Sequence, residues 1–255
     1  MNLQRKRYLP PGLKLDILPQ IPDNFWGAVF KSLYESWGDP YWWPGEDSWE
    51  VAVGAILTQN TAWTNVEKAL ENLTTNEIIT ADDIIKTDSV HLGQIIRSSG
   101  YYNSKAKKLK ELAGWWNLFV TTGKIIDFSD DKLRSELLNI WGVGKETADS
   151  IACYAFGRPV FVVDAYTKRI LVRLQGLDSN PAYDEIQKGV YDSLPRDSML
   201  YNHLHGLLVI LGKEHCKARI TECLTCPLVA TCTSGIMKQT DNKKTRRNEN
   251  PGSTN

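Results

Sequence analysis

Four cysteines, Cys216, Cys223, Cys226 and Cys232, stand in a C-x6-C-x2-C-x5-C array within seventeen residues, and a lone aspartate, Asp164, closes an apolar run upstream of them. Four thiolates so near each other can close around one soft metal centre, whereas disulfides would strand Cys153, because the count is odd. Structural zinc sites usually combine two short C-x2-C knuckles; this array has one such pair and two longer arms, which suit a bulkier [4Fe–4S] centre. A zinc ribbon, or four unrelated buried thiols, is the alternative, since thiolates serve both metals. Cys153, among Ile151, Ala152 and Tyr154, reads as a small core residue.

Upstream lies Leu138-Asn-Ile-Trp-Gly-Val-Gly-Lys-Glu-Thr-Ala-Asp-Ser-Ile151, two helices joined by a turn in which Gly142 and Gly144 remove Cβ atoms. The bare backbone of Gly142, Val143 and Gly144, with Lys145 and Thr147 at the open start of the next helix, makes a cradle for a phosphate and grips DNA without reading sequence. A tight helix–helix turn is the competing reading. Asp164 alone would be the N-cap of the helix that follows it.

Taken together these segments resemble the endonuclease III superfamily of helix-hairpin-helix DNA glycosylases. Asp164 stands twenty residues after Gly144, the family's spacing for its catalytic aspartate; Ala55-Ile-Leu-Thr-Gln-Asn-Thr61 and Ser99-Gly-Tyr-Tyr-Asn-Ser-Lys-Ala106 match two further segments, and the cysteine spacing is the one it uses for a [4Fe–4S] cluster. The resemblance implies hydrolysis of an N-glycosidic bond in double-stranded DNA containing a damaged base. Asp164 would stabilise positive charge on the sugar and orient or deprotonate water. Gln59 would fill the space left by the flipped nucleotide. Endonuclease III proper carries a Schiff-base lysine two residues after the second hairpin glycine; here that residue is Glu146, and Lys145, one residue earlier, is turned by ~100° on a helix. A monofunctional glycosylase is therefore expected.

Tyr41-Trp42-Trp43-Pro44-Gly45 and Trp63 flank the helix that leads to Gln59. Indole faces can sandwich a flipped base and attract cationic 3-methyladenine or 7-methylguanine. The tryptophan-tryptophan-proline segment is similar to the 3-methyladenine DNA glycosylase branch, which makes Trp42, Trp43, Pro44 and Trp63 the candidate base pocket, Trp43 and Trp49 fitting better as core anchors. Two other readings stay open: a glycosylase and lyase of the same fold acting on oxidised, deaminated or mismatched pyrimidines, and a non-catalytic iron–sulfur DNA-binding protein.

The elements that must hold these residues are helical almost throughout. Apolar periodicity predicts helices over 25–34, 51–57, 64–73, 81–86, 91–96, 104–118, 130–139, 145–156, 165–174, 183–193 and 199–211, the second opened by Asp47 with Glu50 three residues on. An all-α, two-lobed fold is expected: a six-helix barrel over 48–153, a cluster-bearing lobe from 1–47 and 154–236, with Asp164 and the hairpin at the mouth of a cleft between them, and a disordered polar tail over 237–255. The chain has 255 residues, 42% of them hydrophobic, and a formal net charge of +0, enough to bury a substantial core. No apolar run approaches the ~20 residues of a membrane span, and a monomer in the reducing cytoplasm or nucleoid is expected. With no global basic excess, a DNA-facing patch would have to come from local runs such as Lys105, Lys107, Lys108 and Lys110, or Arg158, Lys168, Arg169 and Arg173; solvated helix faces are the simpler reading of each run.

Overall fold

The computed structural model describes residues 8–10, 18–179 and 181–240. In chain order the α-helices are α1 (Phe25–Trp37), α2 (Ser48–Leu57), α3 (Trp63–Thr75), α4 (Ala81–Lys86), α5 (Ser89–Ile95), α6 (Tyr102–Trp116), α7 (Asp130–Asn139), α8 (Lys145–Ser150), α9 (Ala165–Gln175), α10 (Tyr183–Ser193) and α11 (Ser198–Glu214). The all-α expectation holds. Among the described residues none belongs to an extended strand, and no helix is long and apolar enough to cross a membrane.

The chain divides into two compact units. One contains residues 8–10 and Trp43–Val160 with Asp197–Met199; the other contains residues 18–42, Phe161–Arg196 and the segment from Leu200 onward. The divisions fall between Trp42 and Trp43 and between Val160 and Phe161, so two adjacent tryptophans belong to different units. In the first unit α2 is the central element: Trp49 and every residue from Val51 to Leu57 are buried, and Asp47 starts the helix by accepting the Glu50 amide at 2.8 Å. In the second unit Leu33, Phe161, Tyr201, Leu204 and Leu207 are fully buried in one apolar core.

The segment 145–156, expected as one helix, is α8 followed by a π-helical turn over Ile151–Ala155. A single wide turn leaves the apolar periodicity almost unchanged, so the pattern does not reveal it. Residues 237–240, expected to begin the tail, are helical; 241–255 lie outside the described residues.

Members of the basic runs are engaged by partners within the fold. Lys105 is 2% exposed and donates to the carbonyls of Leu57 and Ser99, at 2.8 and 2.7 Å, so it closes the end of α2. Burial, joined by the Lys108 charge, lowers its pKa to about 8. Lys110 caps the end of α4 through the carbonyls of Ile84, Ile85 and Thr87. Arg158 pairs with Asp130 at 3.3 Å, and Lys168 lies over the Tyr183 ring. These cations answer helix-end carbonyls and local partners, contacts that charge counting along the chain does not predict.

Candidate active site and cysteine loop

Asp164 is delivered by an apolar run that pairs with no strand. Phe161 and Val163 donate their amides to the hydroxyls of Tyr191 and Tyr183, at 3.2 and 3.4 Å, and Gln187 Nε2 donates to the Phe161 carbonyl at 2.8 Å. Side chains of α10 thus satisfy this buried extended backbone, and the chain is led straight into α9. Asp164 is the N-cap of α9: its Oδ1 accepts the Thr167 amide at 2.7 Å. Capping occupies one carboxylate oxygen only. The other, Oδ2, lies 3.5 Å from His205 Nε2 on α11, the two side chains being 12% and 4% exposed. Burial works against ionisation of Asp164, but the neighbouring His205 imidazole, together with the Thr167 amide, outweighs it and holds the carboxyl below the usual aspartate range.

The same helix reaches the cysteines at its other end. Arg169 Nε donates to the Cys216 carbonyl at 2.9 Å, and Arg173 donates to Cys216 Sγ at 3.3 Å and to the carbonyls of Lys217 and Ala218 at 2.7 and 3.0 Å. Cys216, Cys223, Cys226 and Cys232 line one cavity of about 30 Å³, walled by apolar residues such as Ile170, Leu174 and Leu228. Burial pushes the Cys226 thiol up to about 11; the Leu228 amide opposes this, and negative charge on the other three cysteines adds to it. Four half-buried thiolates side by side are stabilised by a positive centre between them. Among the described residues no three His, Cys, Asp or Glu side chains are gathered tightly enough to hold a metal ion. Cys153 lies apart, 3% exposed in the first unit, its thiol pushed up by burial and by the charges of Asp149 and Asp197.

In the first unit the hairpin between α7 and α8 carries Gln59. The residue sits in the tight turn after α2, where Asn60 takes the left-handed conformation (φ 56°) that asparagine tolerates. Gln59 Nε2 donates to Thr147 Oγ1 at 2.9 Å and to the Gly142 carbonyl at 3.3 Å, while its Oε1 accepts from Lys108 Nζ. Gly142 has φ +82°, and a Cβ there would stand 2.6 Å from Lys108 Cε, so glycine is needed twice over. A Cβ at Gly144 would meet nothing within 4 Å; this glycine leaves open space at the start of α8, which no side chain caps. Val143 and Thr147 are both 7% exposed. Thr147 was expected at the phosphate cradle, but its hydroxyl is turned inward onto Gln59; Lys145 and both glycines are exposed.

The tryptophans separate. Trp43, 6% exposed, is stacked on Tyr154 and meets Trp63 edge-on at 4.9 Å, so it is an anchor of the first unit with no free ring face for a base. Pro44 follows it, half-buried, as is Trp63. Trp42, in the second unit, meets the His205 ring edge-on at 5.6 Å, with Lys213 Nζ 6.0 Å over its ring.

Residues 53–196 match the model of the HhH-GPD superfamily of base excision DNA repair proteins. The chain belongs to this superfamily. A protein of Methanocaldococcus jannaschii with the provisional name DNA repair glycosylase is 42% identical over 81% of this chain and 94% of its own length. Among solved structures, the 3-methyladenine DNA glycosylase of H. pylori bound to 1,N6-ethenoadenine is 31% identical, with a TM-score of 0.63 over 73% of this chain and 96% of that one. A trapped endonuclease III–DNA covalent intermediate shares the fold, with a TM-score of 0.70 at 24% identity over 83% and 96% of the two chains.

In this HhH-GPD protein the residue that sequence reading missed is His205. It stands 41 positions from Asp164, and the signal that could have found it is weak: a histidine two residues from another, His203, in an otherwise apolar helix. Glu146, at the position where the family's lyases carry lysine, is exposed on α8.

Proposed function

We propose that this base excision repair DNA glycosylase is monofunctional and releases alkylated purines, 3-methyladenine or 7-methylguanine, from double-stranded DNA. The observation that carries the reading is the buried Asp164 carboxylate, held ionised, with one oxygen on the helix cap and the other beside His205. In the step assigned to it, water adds to C1′ and the N-glycosidic bond breaks, its electron pair leaving with the base. Asp164 stabilises the positive charge that develops on the sugar and takes the proton of the water. An alkylated purine is already a good leaving group, so no dedicated general acid is required. Glu146 cannot form a Schiff base, which supports base release without strand cleavage.

Gly142, Gly144 and Lys145 hold a DNA phosphate, and Gln59, resting on the hairpin, enters the duplex when the nucleotide is swung out. Trp42 offers an aromatic face beside His205, the neighbour of Asp164; Lys213 above it is exposed and can swing away from an entering base. Trp63 keeps the pocket role assigned by resemblance. Similarity to the H. pylori 3-methyladenine glycosylase supports the substrate class.

The test is mass spectrometry of free bases released from one duplex set carrying methylated purines, uracil, thymine mismatches and oxidised pyrimidines, with borohydride trapping in parallel. Release of 3-methyladenine or 7-methylguanine without nicking or a trapped adduct is expected. Release of a pyrimidine, or a covalent adduct, moves the assignment to the glycosylase and lyase reading.

We assign the four cysteines to a [4Fe–4S] cluster, held by Cys216, Cys223, Cys226 and Cys232; when bound it ties the loop that carries them to α9 and α11 and leaves the glycosidic chemistry to Asp164. Iron and acid-labile sulfide in equal amounts in protein purified without oxygen are the expected result, and zinc without sulfide rejects the assignment.

A further inference from the structure

We propose that His205 is a positioning residue that keeps the Asp164 carboxylate charged in its buried place and ties it to the seating of Trp42. The inference rests on the reading of Asp164 as the group that hydrolyses the glycosidic bond. A carboxylate buried without a cationic partner takes up a proton and can no longer stabilise a positively charged sugar. The helix-cap hydrogen bond from Thr167 engages Oδ1 alone, and the His205 ring, its Nε2 3.5 Å from Oδ2, is the group that meets the other oxygen.

The remaining charged groups nearby are engaged elsewhere. On α9, Lys168 lies over Tyr183, and Arg169 is turned to the carbonyls of Cys216 and Gly212. On α11, His203 faces Asp39 at 3.4 Å and stacks on Tyr34, away from Asp164, and Lys213 lies over Trp42. Among the described residues, His205 is the ionisable side chain that acts on the ionisation of Asp164.

The same imidazole presents its ring to the Trp42 indole at an interplanar angle of 71°. The next residue, Gly206, lets Trp42 lie directly on the helix: a Cβ at 206 would stand 2.7 Å from Trp42 Cβ and 3.0 Å from Pro40 Cγ. Two consecutive residues of α11 therefore touch both the carboxylate and Trp42. A shift of Trp42 on accommodating a base reaches Asp164 through one ring.

The direction of the pH effect follows. With His205 present the acid limb of base release lies below the usual aspartate range. Without it, burial is left as the dominant influence and the limb moves up by about 1 pH unit or more. The experiment compares the parent with His205→Gln and His205→Asn in single-turnover release of 7-methylguanine from duplex DNA across about pH 3 to 8. Affinity for a duplex carrying a tetrahydrofuran abasic analogue serves as the check on folding. The Asp164 carboxyl carbon is titrated by NMR in the same proteins and assigned by its loss in Asp164→Asn.

The expected result is an acid limb and a carboxyl titration that rise together in both variants, at an abasic-site affinity within about threefold of the parent. Variants that match the parent in both overturn the proposal. So does a parent carboxyl that titrates above the usual aspartate range, a measurement that needs no variant to fold. If instead Asp164→Asn goes on releasing base, the assignment of Asp164 fails, and the carboxyl titration of His205→Gln still decides whether the pair exists.

Discussion

Asp164→Asn is expected to fold, to bind abasic-site DNA as the parent does, and to release base about 10³-fold more slowly. The separation of these effects follows from the two jobs of the side chain. As the N-cap of α9 it supplies an oxygen to the Thr167 amide, and asparagine caps helices about as well as aspartate. As the charge facing the sugar it has no neutral substitute: the amide offers a weak dipole where the carboxylate offers a full negative charge in a site that excludes much of the water. Alanine would confound the two, because loss of the cap costs about 1 kcal/mol at the start of the helix that also carries Arg169 and Arg173 to the cysteine loop. The check is single-turnover release of 7-methylguanine, with thermal unfolding and abasic-site affinity measured on the same preparations. An Asp164→Asn protein within tenfold of the parent rate would remove Asp164 from the chemistry.

The largest stability effect is expected from Arg134→Met, at about 3 to 5 kcal/mol, or roughly 10 °C in Tm. Arg134 on α7 forms a two-pronged ion pair with Asp149 on α8: Nε to Oδ1 at 2.6 Å and Nη2 to Oδ2 at 3.2 Å. The Asp149 side chain is fully buried, at 0% exposure, and that of Arg134 is 25% exposed. Methionine keeps the aliphatic reach but takes the guanidinium from a carboxylate that has already given up its water. The pair also joins the two helices on either side of Gly142 and Gly144, so its loss loosens the hairpin as well as the core. Weaker affinity for undamaged duplex DNA is expected alongside the lowered Tm, and Arg134→Met with Asp149→Asn should recover part of the stability by removing the stranded charge. A single variant within 1 kcal/mol of the parent by urea unfolding would show that solvent or another group compensates for the guanidinium.

Local signals in the sequence were enough for the helices and for the DNA glycosylase family. The periodicity of 130–139 and 183–193, and the cap at Asp47, report the balance of burial and end-satisfaction within a few turns, which is what a linear pattern encodes. The cysteine array, the two hairpin glycines and Asp164 are likewise local: each sits at a turn or a helix end, where the residue type is dictated by backbone conformation or donor chemistry. The folded chain alone decided which partners those residues meet. Lys105 and Arg173 look like members of a basic face, yet each is drawn to carbonyl oxygens from segments 48 and 45 residues away, at Leu57 and Ala218, because a buried helix end or a tight loop needs a donor more than the surface needs a charge. Trp42 and Trp43 are neighbours with the same side chain, but the division between the compact units passes between them, so one meets His205 and the other is sealed against Tyr154 and Trp63. His205 itself carries no signature in the sequence. Its meaning lies in a 3.5 Å approach to Asp164 across 41 residues, a contact made by the packing of α11 against the start of α9 and by nothing in the pattern of either helix.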